Sequence, residues 1–216
     1  MRRRLVRIHY EDRESWLAGR GIGIGASEAA AVLGQSPWMT TMQLWKLKIG
    51  ATQPKDLSGN PAVELGNRME DAIRNLYAAQ HPELEVSHYP YDILHQEDRP
   101  YIFATLDGEL IRKETGEKGI LEIKTSTPNG KVGWGKWQNK IPDNYFCQII
   151  HQLAATGWDF VTLVAALFSH NGDIILRPYT FERADYLDDI DYLIKHEDEF
   201  WGHVVNGTLP PQTIHF

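Results

Sequence analysis

The stretch YIFATLDGELIRKETGEKGILEIKTST, Tyr101–Thr127, alternates apolar and polar residues on either side of a polar segment. That period of two predicts two strands joined by a short turn. On the first strand Ile102, Ala104 and Leu106 form the apolar set, while Thr105 and Asp107 face the other way. On the second, Leu121 and Ile123 point to one side, and Glu122 and Lys124 to the other. Matching the apolar sets fixes the register to within a residue. It crowds two carboxylates and one ammonium onto a single face. Paired carboxylate oxygens suit a hard divalent cation such as Mg²⁺, and a neighbouring lysine offsets charge developing on a phosphorane. In outline this is a phosphodiester-cleaving site. A Glu-x-Lys tripeptide recurs by chance in chains of this size, and exposed hairpins carry charge for solubility, so the rest of the chain has to supply the weight.

The chain has 216 residues, 42% of them hydrophobic and 11% aromatic, enough for one sizeable core and a single domain over residues 1–216. Its longest apolar runs, such as Val161–Phe168, are too short to cross a bilayer, so no membrane association is expected. The basic start MRRRLVRIHYEDR lacks the apolar segment of a secretory signal. One cysteine, Cys147, excludes an internal disulfide and a four-cysteine metal or iron–sulfur site, and a reducing cytoplasm fits. A net charge of −7 argues against a surface coated for nucleic acid, but not against a local basic channel. Arginines 2, 3, 4 and 7 cluster at one end, and Lys131, Lys136 and Lys140 in the middle.

In WLAGRGIGIGASEAAAVLG, Trp16–Gly34, Ser27 is a suitable N-cap and Gly34 a suitable C′ residue for a short helix from Glu28 to Leu33. Gly21, Gly23 and Ala26 fit a dinucleotide fingerprint, but no strand precedes them. No acid follows between Glu28 and Asp56 to hold a ribose, so that assignment fails. What remains is a turn presenting a helix N-terminus beside Arg20 and Ser27, which suits a phosphate or is simply a capped loop. Thr41–Ile49 reads as a helix. Pro61 opens a longer one to about Gln80, with Gly66, Glu70, Ile73 and Tyr77 on one stripe and Leu65, Met69, Ala72 and Leu76 on the next. Glu70 thus sits among apolar residues and needs a partner, a metal or a base across the interface, unless it snorkels at an edge.

Leu84–Leu94 reads as one strand. PNGKVGWGKWQNK, Pro128–Lys140, reads either as a mobile loop on a nucleic-acid backbone or as a solvated loop with its tryptophans on the core. A helix follows over Asp143–Thr156 with Gly157 as its cap. Phe146, Ile149, Ile150 and Leu153 form its core face, and Tyr145, Gln148 and Gln152 a polar ledge with His151 beside it. Strands at Phe160–Phe168 and Ile174–Phe181 precede an acidic helix over about Arg183–Asn206, with Leu187, Ile190, Ile194, Trp201 and Val205 inward. This order predicts an α/β fold with a central mixed sheet flanked by helices.

Taken together, RGIGIGASEAAAVLGQSPW, LWKLKIG, LGNRMEDAIRNLY, TLDG, GILEIKTS, IPDNYFCQIIHQLAATG and NGTLPP resemble the lambda exonuclease and YqaJ-type viral recombinase family of PD-(D/E)xK nucleases. The segments span nearly the whole chain in the family's order. The resemblance implies a restriction-endonuclease-like fold and a Mg²⁺-dependent 5′-to-3′ exonuclease, with Mn²⁺ able to substitute. Its substrate would be linear double-stranded DNA, left with 3′ single-stranded overhangs for recombination by strand annealing.

By the same resemblance Asp107 and Glu122 would hold the metal with a backbone carbonyl near Ile123. Lys124 would position water and stabilise the transition state. Glu70 and Gln148 would complete the catalytic set. Arg20, Ser27 and Thr105, the last in place of a family serine, would grip the 5′-phosphate, and Trp16 would contact DNA. The family's motif proline is replaced by Leu106. A homotrimeric ring around the duplex, a single-strand annealing protein as partner, and a phage or prophage gene acting in the cytoplasm of a bacterial host are also implied. The alternatives are an endonuclease of the same fold that cuts internally, and a non-catalytic module that binds DNA ends.

Overall fold

The computed structural model describes residues 4–211. Arginines 2 and 3 and the last residues of the tail lie outside that range. Seven helices and nine strands follow in the order β1 (Leu5–His9), α1 (Arg13–Arg20), β2 (Ile24–Gly25), α2 (Ala29–Val32), α3 (Thr41–Lys48), α4 (Pro61–Gln80), β3 (Leu84–Ser87), β4 (Asp92–Gln96), β5 (Ile102–Ala104), β6 (Gly108–Arg112), β7 (Lys118–Ser126), α5 (Gly130–Gly135), α6 (Asp143–Thr156), β8 (Phe160–Phe168), β9 (Ile174–Glu182) and α7 (Leu187–Val205). They build two mixed sheets. One has four strands in the order β1-β4-β5-β2, the other five in the order β3-β6-β7-β8-β9.

The expected central sheet is the five-stranded one, and β7 is its middle strand. β7 pairs antiparallel with β6 and parallel with β8, which requires the crossover that α5 and α6 provide. A strand in that position is covered on both faces and carries little polar surface. On one side Leu121 and Ile123 meet Ile73 and Tyr77 of α4. On the other, Ile120 joins Ile149, Ile150 and Leu153 of α6. This second cluster also takes in Leu94 of β4, so one core runs through α6 into both sheets.

The four-stranded sheet was not foreseen, and its presence corrects two expectations. Leu84–Leu94 is not one strand. Tyr91, with φ of 65°, breaks it into β3 and β4, which belong to different sheets. The first half of the Tyr101–Thr127 stretch is likewise two strands: β5 pairs with β4, and β6 pairs with β7. Thr105, Leu106 and Asp107 form the passage between the sheets. Hydrophobic alternation continues through that passage, so periodicity alone could not reveal the change of partner.

The long helices agree closely with expectation. Asn60 caps α4 by accepting from the Ala62 N–H, and Pro61 takes the first helical position. α6 ends at Gly157 with φ of 68°, a left-handed position where a side chain would be strained and would also crowd Gln96. Four details differ. Ser27 lies inside a 3₁₀ turn whose N-cap is Gly25, and the Glu28 side chain reaches back to accept from the Gly25 N–H at 2.8 Å. The Pro128–Lys140 segment contains the short helix α5 and buries Trp137 in the core. On α7 the inward residues are Ile190, Leu193, Glu197 and Phe200, while Leu187 and Val205 are exposed. Along α4 the buried residues are Ile73, Arg74 and Tyr77, Glu70 is half-buried, and Ala72 and Leu76 face solvent. No helix among the described residues is long and apolar enough to cross a membrane.

Candidate active site

Asp107, Glu122 and Lys124 meet where β6 begins against β7. The β6–β7 ladder starts at Gly108 opposite Leu121, so beyond that pair the edge of β7 is free of a strand partner on this side. The Asp107 carboxylate fills part of the gap, accepting from the Ile123 N–H at 2.7 Å. In a strand the N–H and C=O of one residue point to the same side, so the Ile123 carbonyl opens onto the same gap. Glu122 projects towards α6 and is only 2% exposed. Its Oε1 accepts from Gln148 Nε2 at 2.7 Å and lies 2.5 Å from Lys124 Nζ. Its Oε2 accepts from Gln152 Nε2 at 2.5 Å. Lys124 is closed from above by Tyr145, whose ring centroid lies 5.3 Å from Nζ.

Glu70 approaches from α4. Its side-chain partner is Arg74, one turn along the same helix, which donates to Glu70 Oε1 at 2.6 Å. Arg74 also donates through Nε to the Asp107 carbonyl oxygen and through Nη1 to Asp71. A single buried guanidinium therefore ties the helical acid to the backbone of the strand-end acid. Arg74, Gln152 and Tyr145 were not among the expected functional residues. Spacing of four from Glu70 to Arg74 and from Gln148 to Gln152 was the available signal.

The electrostatics follow from this crowding. Burial pushes the Asp107 carboxyl well above the usual carboxylate range and Glu122 pushes it further; Lys124 opposes them, while Glu70 adds to the rise. Glu70 is raised by burial against the opposing pull of Arg74, with Asp71 and Glu122 adding to the rise. For Lys124 burial works against the charge, but Glu122 and Asp107 overcome it and hold the ammonium above its ordinary value. Among the described residues no three acid, histidine or cysteine side chains form a ready-made ion cage. The available donors are the carboxylates of Asp107 and Glu122 and the Ile123 carbonyl. Such hard oxygens fit Mg²⁺ or Mn²⁺, and a divalent ion there would relieve the repulsion that raises Asp107.

The remaining candidates gather around the other sheet. β2 runs parallel to β5, so the chain leaves β2 into the Ser27 turn at the same end where β5 leaves for Thr105 and Asp107. Ser27 is exposed, and the half-buried Thr105 hydroxyl makes no hydrogen bond among the described residues. Arg20, the last residue of α1, lies over the Trp16 ring at 4.6 Å, and Trp16 also touches Tyr91. Trp16 thus lies half-buried beneath the guanidinium. Burial lowers the Arg20 pKa while nearby Glu28 opposes the fall. Glu28 forms an ion pair with the buried Lys48 at 2.7 Å and accepts from the Gly25 N–H, so a carboxylate already sits at the start of this turn. Lys131, Lys136 and Lys140 are exposed on and around α5, directly beyond the end of β7.

Comparison with known proteins agrees with this architecture. The chain is 30% identical over 199 residues to the Bacillus subtilis (strain 168) protein YqaJ, itself described as uncharacterized. The match covers 92% of this chain and 58% of that protein, so the chain spans little more than half of its relative's length. Its fold matches an alkaline exonuclease, LHK-Exo, from Laribacter hongkongensis, with a TM-score of 0.61 at 20% identity over 90% of this chain and 95% of that one. LHK-Exo in complex with dAMP gives a TM-score of 0.59 at 19% identity, over 90% and 95% of the two chains. A phage-related exonuclease from Haemophilus somnus 129PT gives 0.55 at 12% identity, over 86% and 96%. The architecture is therefore the restriction-endonuclease-like one. The profile of the YqaJ-like viral recombinase domain matches residues 15–159, two thirds of the sequence and all of the cluster around Asp107 and Glu122, and the chain belongs to that family.

Proposed function

We propose that the protein is a Mg²⁺-dependent nuclease that degrades the 5′-ended strand of linear double-stranded DNA, leaving 3′ single-stranded overhangs for recombination by strand annealing. The observation that carries the proposal is the cluster of half-buried Asp107 and Lys124 around buried Glu122 at the free edge of β7, with Glu70 approaching from α4. The exonuclease names of the structurally similar proteins accord with it.

Asp107, Glu122 and the Ile123 carbonyl would hold the ion, which when bound supplies Lewis-acid polarisation of the scissile phosphodiester. Lys124 carries its charge under all physiological conditions and offsets negative charge gathering on the phosphoryl oxygens. Gln148 keeps one Glu122 oxygen oriented. Arg20, Ser27 and Thr105 receive the 5′-phosphate exposed after each step, next to the residues that make the next cut. A ring of three copies around the duplex and a single-strand annealing protein as partner complete the proposal, both from the family resemblance.

End-labelled linear duplex, incubated with Mg²⁺, Mn²⁺ or EDTA, tests the function. Mononucleotide release from 5′ ends first, with either metal and not with EDTA, is expected. Release from 3′ ends first, or rapid linearisation of a closed circle, would overturn the proposal.

A further inference from the structure

Gln152 is completely buried on α6, and its amide nitrogen donates to Glu122 Oε2 at 2.5 Å. Gln148, one turn earlier, donates to Glu122 Oε1 at 2.7 Å. The two amides grip both oxygens of one carboxylate from a single rigid helix. The orientation of the Gln152 amide is fixed by chemistry, because the flipped group would set its carbonyl oxygen against the carboxylate. That orientation leaves Gln152 Oε1 buried with no hydrogen-bond partner. An unsatisfied buried acceptor lowers stability, so the return on this side chain lies in the hydrogen bond its amide nitrogen gives to Glu122.

We infer that Gln152 is a positioning residue for divalent-cation binding: with Gln148 it locks the Glu122 carboxylate in the rotamer that places Oε1 on Lys124. The inference rests on the ion site proposed above. α6 suits the task, since Leu153 and Ile149 on its flank are fully buried in the main core and prevent the helix from shifting. Groups behind a metal ligand characteristically set its affinity through such orienting hydrogen bonds.

Mn²⁺ binding measured by electron paramagnetic resonance, without DNA, is the test, alongside thermal unfolding of the metal-free protein. Gln152→Met should bind Mn²⁺ about tenfold more weakly, and its metal-free unfolding midpoint should fall because a buried Glu122 oxygen loses its donor. A merely structural glutamine would show the lowered midpoint alone, with unchanged Mn²⁺ affinity. Parent-like affinity in Gln152→Met therefore overturns the role of Gln152 while leaving the ion site intact. Failure of the parent itself to bind Mn²⁺ overturns both. If Gln152→Met does not fold, Gln152→Asn keeps the amide but draws it one methylene back from Glu122. The same tenfold loss is expected, and unchanged affinity again overturns the inference.

Discussion

The Asp107 carboxylate accepts a hydrogen bond from the backbone N–H of Ile123 across the gap where the β6–β7 ladder ends. Asp107 thereby occupies the place of a strand residue without belonging to a strand, and it joins the two sheets at the position where Glu122 and Lys124 emerge. The metal-free protein bears the strain of this arrangement as charge repulsion, which separates the effects of charge and geometry at the site.

Asp107→Asn keeps an oxygen for the Ile123 N–H but removes the buried charge. The Asp107 pKa is raised in the folded state, so its contribution to stability is present below the unfolded value and is lost as pH rises through the folded one. At neutral pH the substitution should therefore raise the metal-free unfolding midpoint, by about 2–4 °C for each kcal/mol recovered. It should also cut nuclease activity by about a thousandfold and abolish the stabilisation that Mg²⁺ gives the parent. Unfolding curves with and without Mg²⁺, paired with digestion rates, check both. A midpoint below that of the parent would contradict the electrostatic account.

Much of this site was legible in the sequence because its parts are local. Glu122 and Lys124 share a face by strand alternation alone, and α4, α6 and β8 have the periodicities and caps that mark their ends. What escaped was the change of partner at Thr105–Asp107, since an alternating pattern is the same whichever sheet a strand joins. The neighbours of Glu70 escaped for a different reason. Its partial burial was readable from the α4 stripe, but not its pairing with Arg74, whose guanidinium takes a second anchor from the backbone carbonyl of Asp107. The 3₁₀ turn at Ser27 depends on Lys48 holding Glu28, a contact across twenty residues that no local signal encodes.

His151 and Glu197 form a fully buried pair, with 2.6 Å between Nδ1 and Oε1, and the other ring nitrogen lies 2.8 Å from the Phe103 carbonyl oxygen. Burial works against the imidazolium, but Glu197, the Phe103 carbonyl and, more weakly, Glu28 raise the His151 pKa above 6.5. The sign is that of a raised base: the stabilisation is full below about 6.5, the unfolded value, and is lost as pH rises through the folded one. Global stability should therefore decline as pH climbs above neutrality. Glu197→Gln should remove about 3 kcal/mol at pH 6 and flatten that decline. Urea unfolding between pH 6 and 9 measures both. A decline of the same steepness in the variant would assign the pH dependence to other groups.

If Arg20 holds the terminal phosphate, the parent should start faster on 5′-phosphorylated duplex than on duplex with 5′-hydroxyl ends. A hydrogen-bonded charge pair of about 1.5–3 kcal/mol corresponds to a preference of about ten- to a hundredfold. Arg20→Ala should largely erase the preference while slowing hydroxyl ends little, because the residues around Asp107 are untouched. Initial rates on the two substrates give the ratio directly. Equal rates in the parent would remove the phosphate grip from the proposed mechanism.

Lys131, Lys136 and Lys140 are exposed on a segment that begins two residues after β7 ends, and none has an acidic partner among the described residues. In a chain of net charge −7 such a concentration of unpaired ammonium groups is a local exception, placed beside the proposed cutting site. Trp137 anchors the segment by its burial in the core, and Tyr179 and Arg177 of β9 both donate to its carbonyl oxygen. The lysines are thus carried on a held platform and their removal should not unfold it. If all three neutralise phosphates, replacing them together with alanine should lower the magnitude of the slope of log affinity against log salt by between about 2 and 3 on duplex DNA. Duplex affinity would fall at 50 mM salt and converge with that of the parent as salt rises. Titrations of both proteins at several salt concentrations, in EDTA to prevent cleavage, yield the slopes, and identical slopes would place the DNA backbone away from α5.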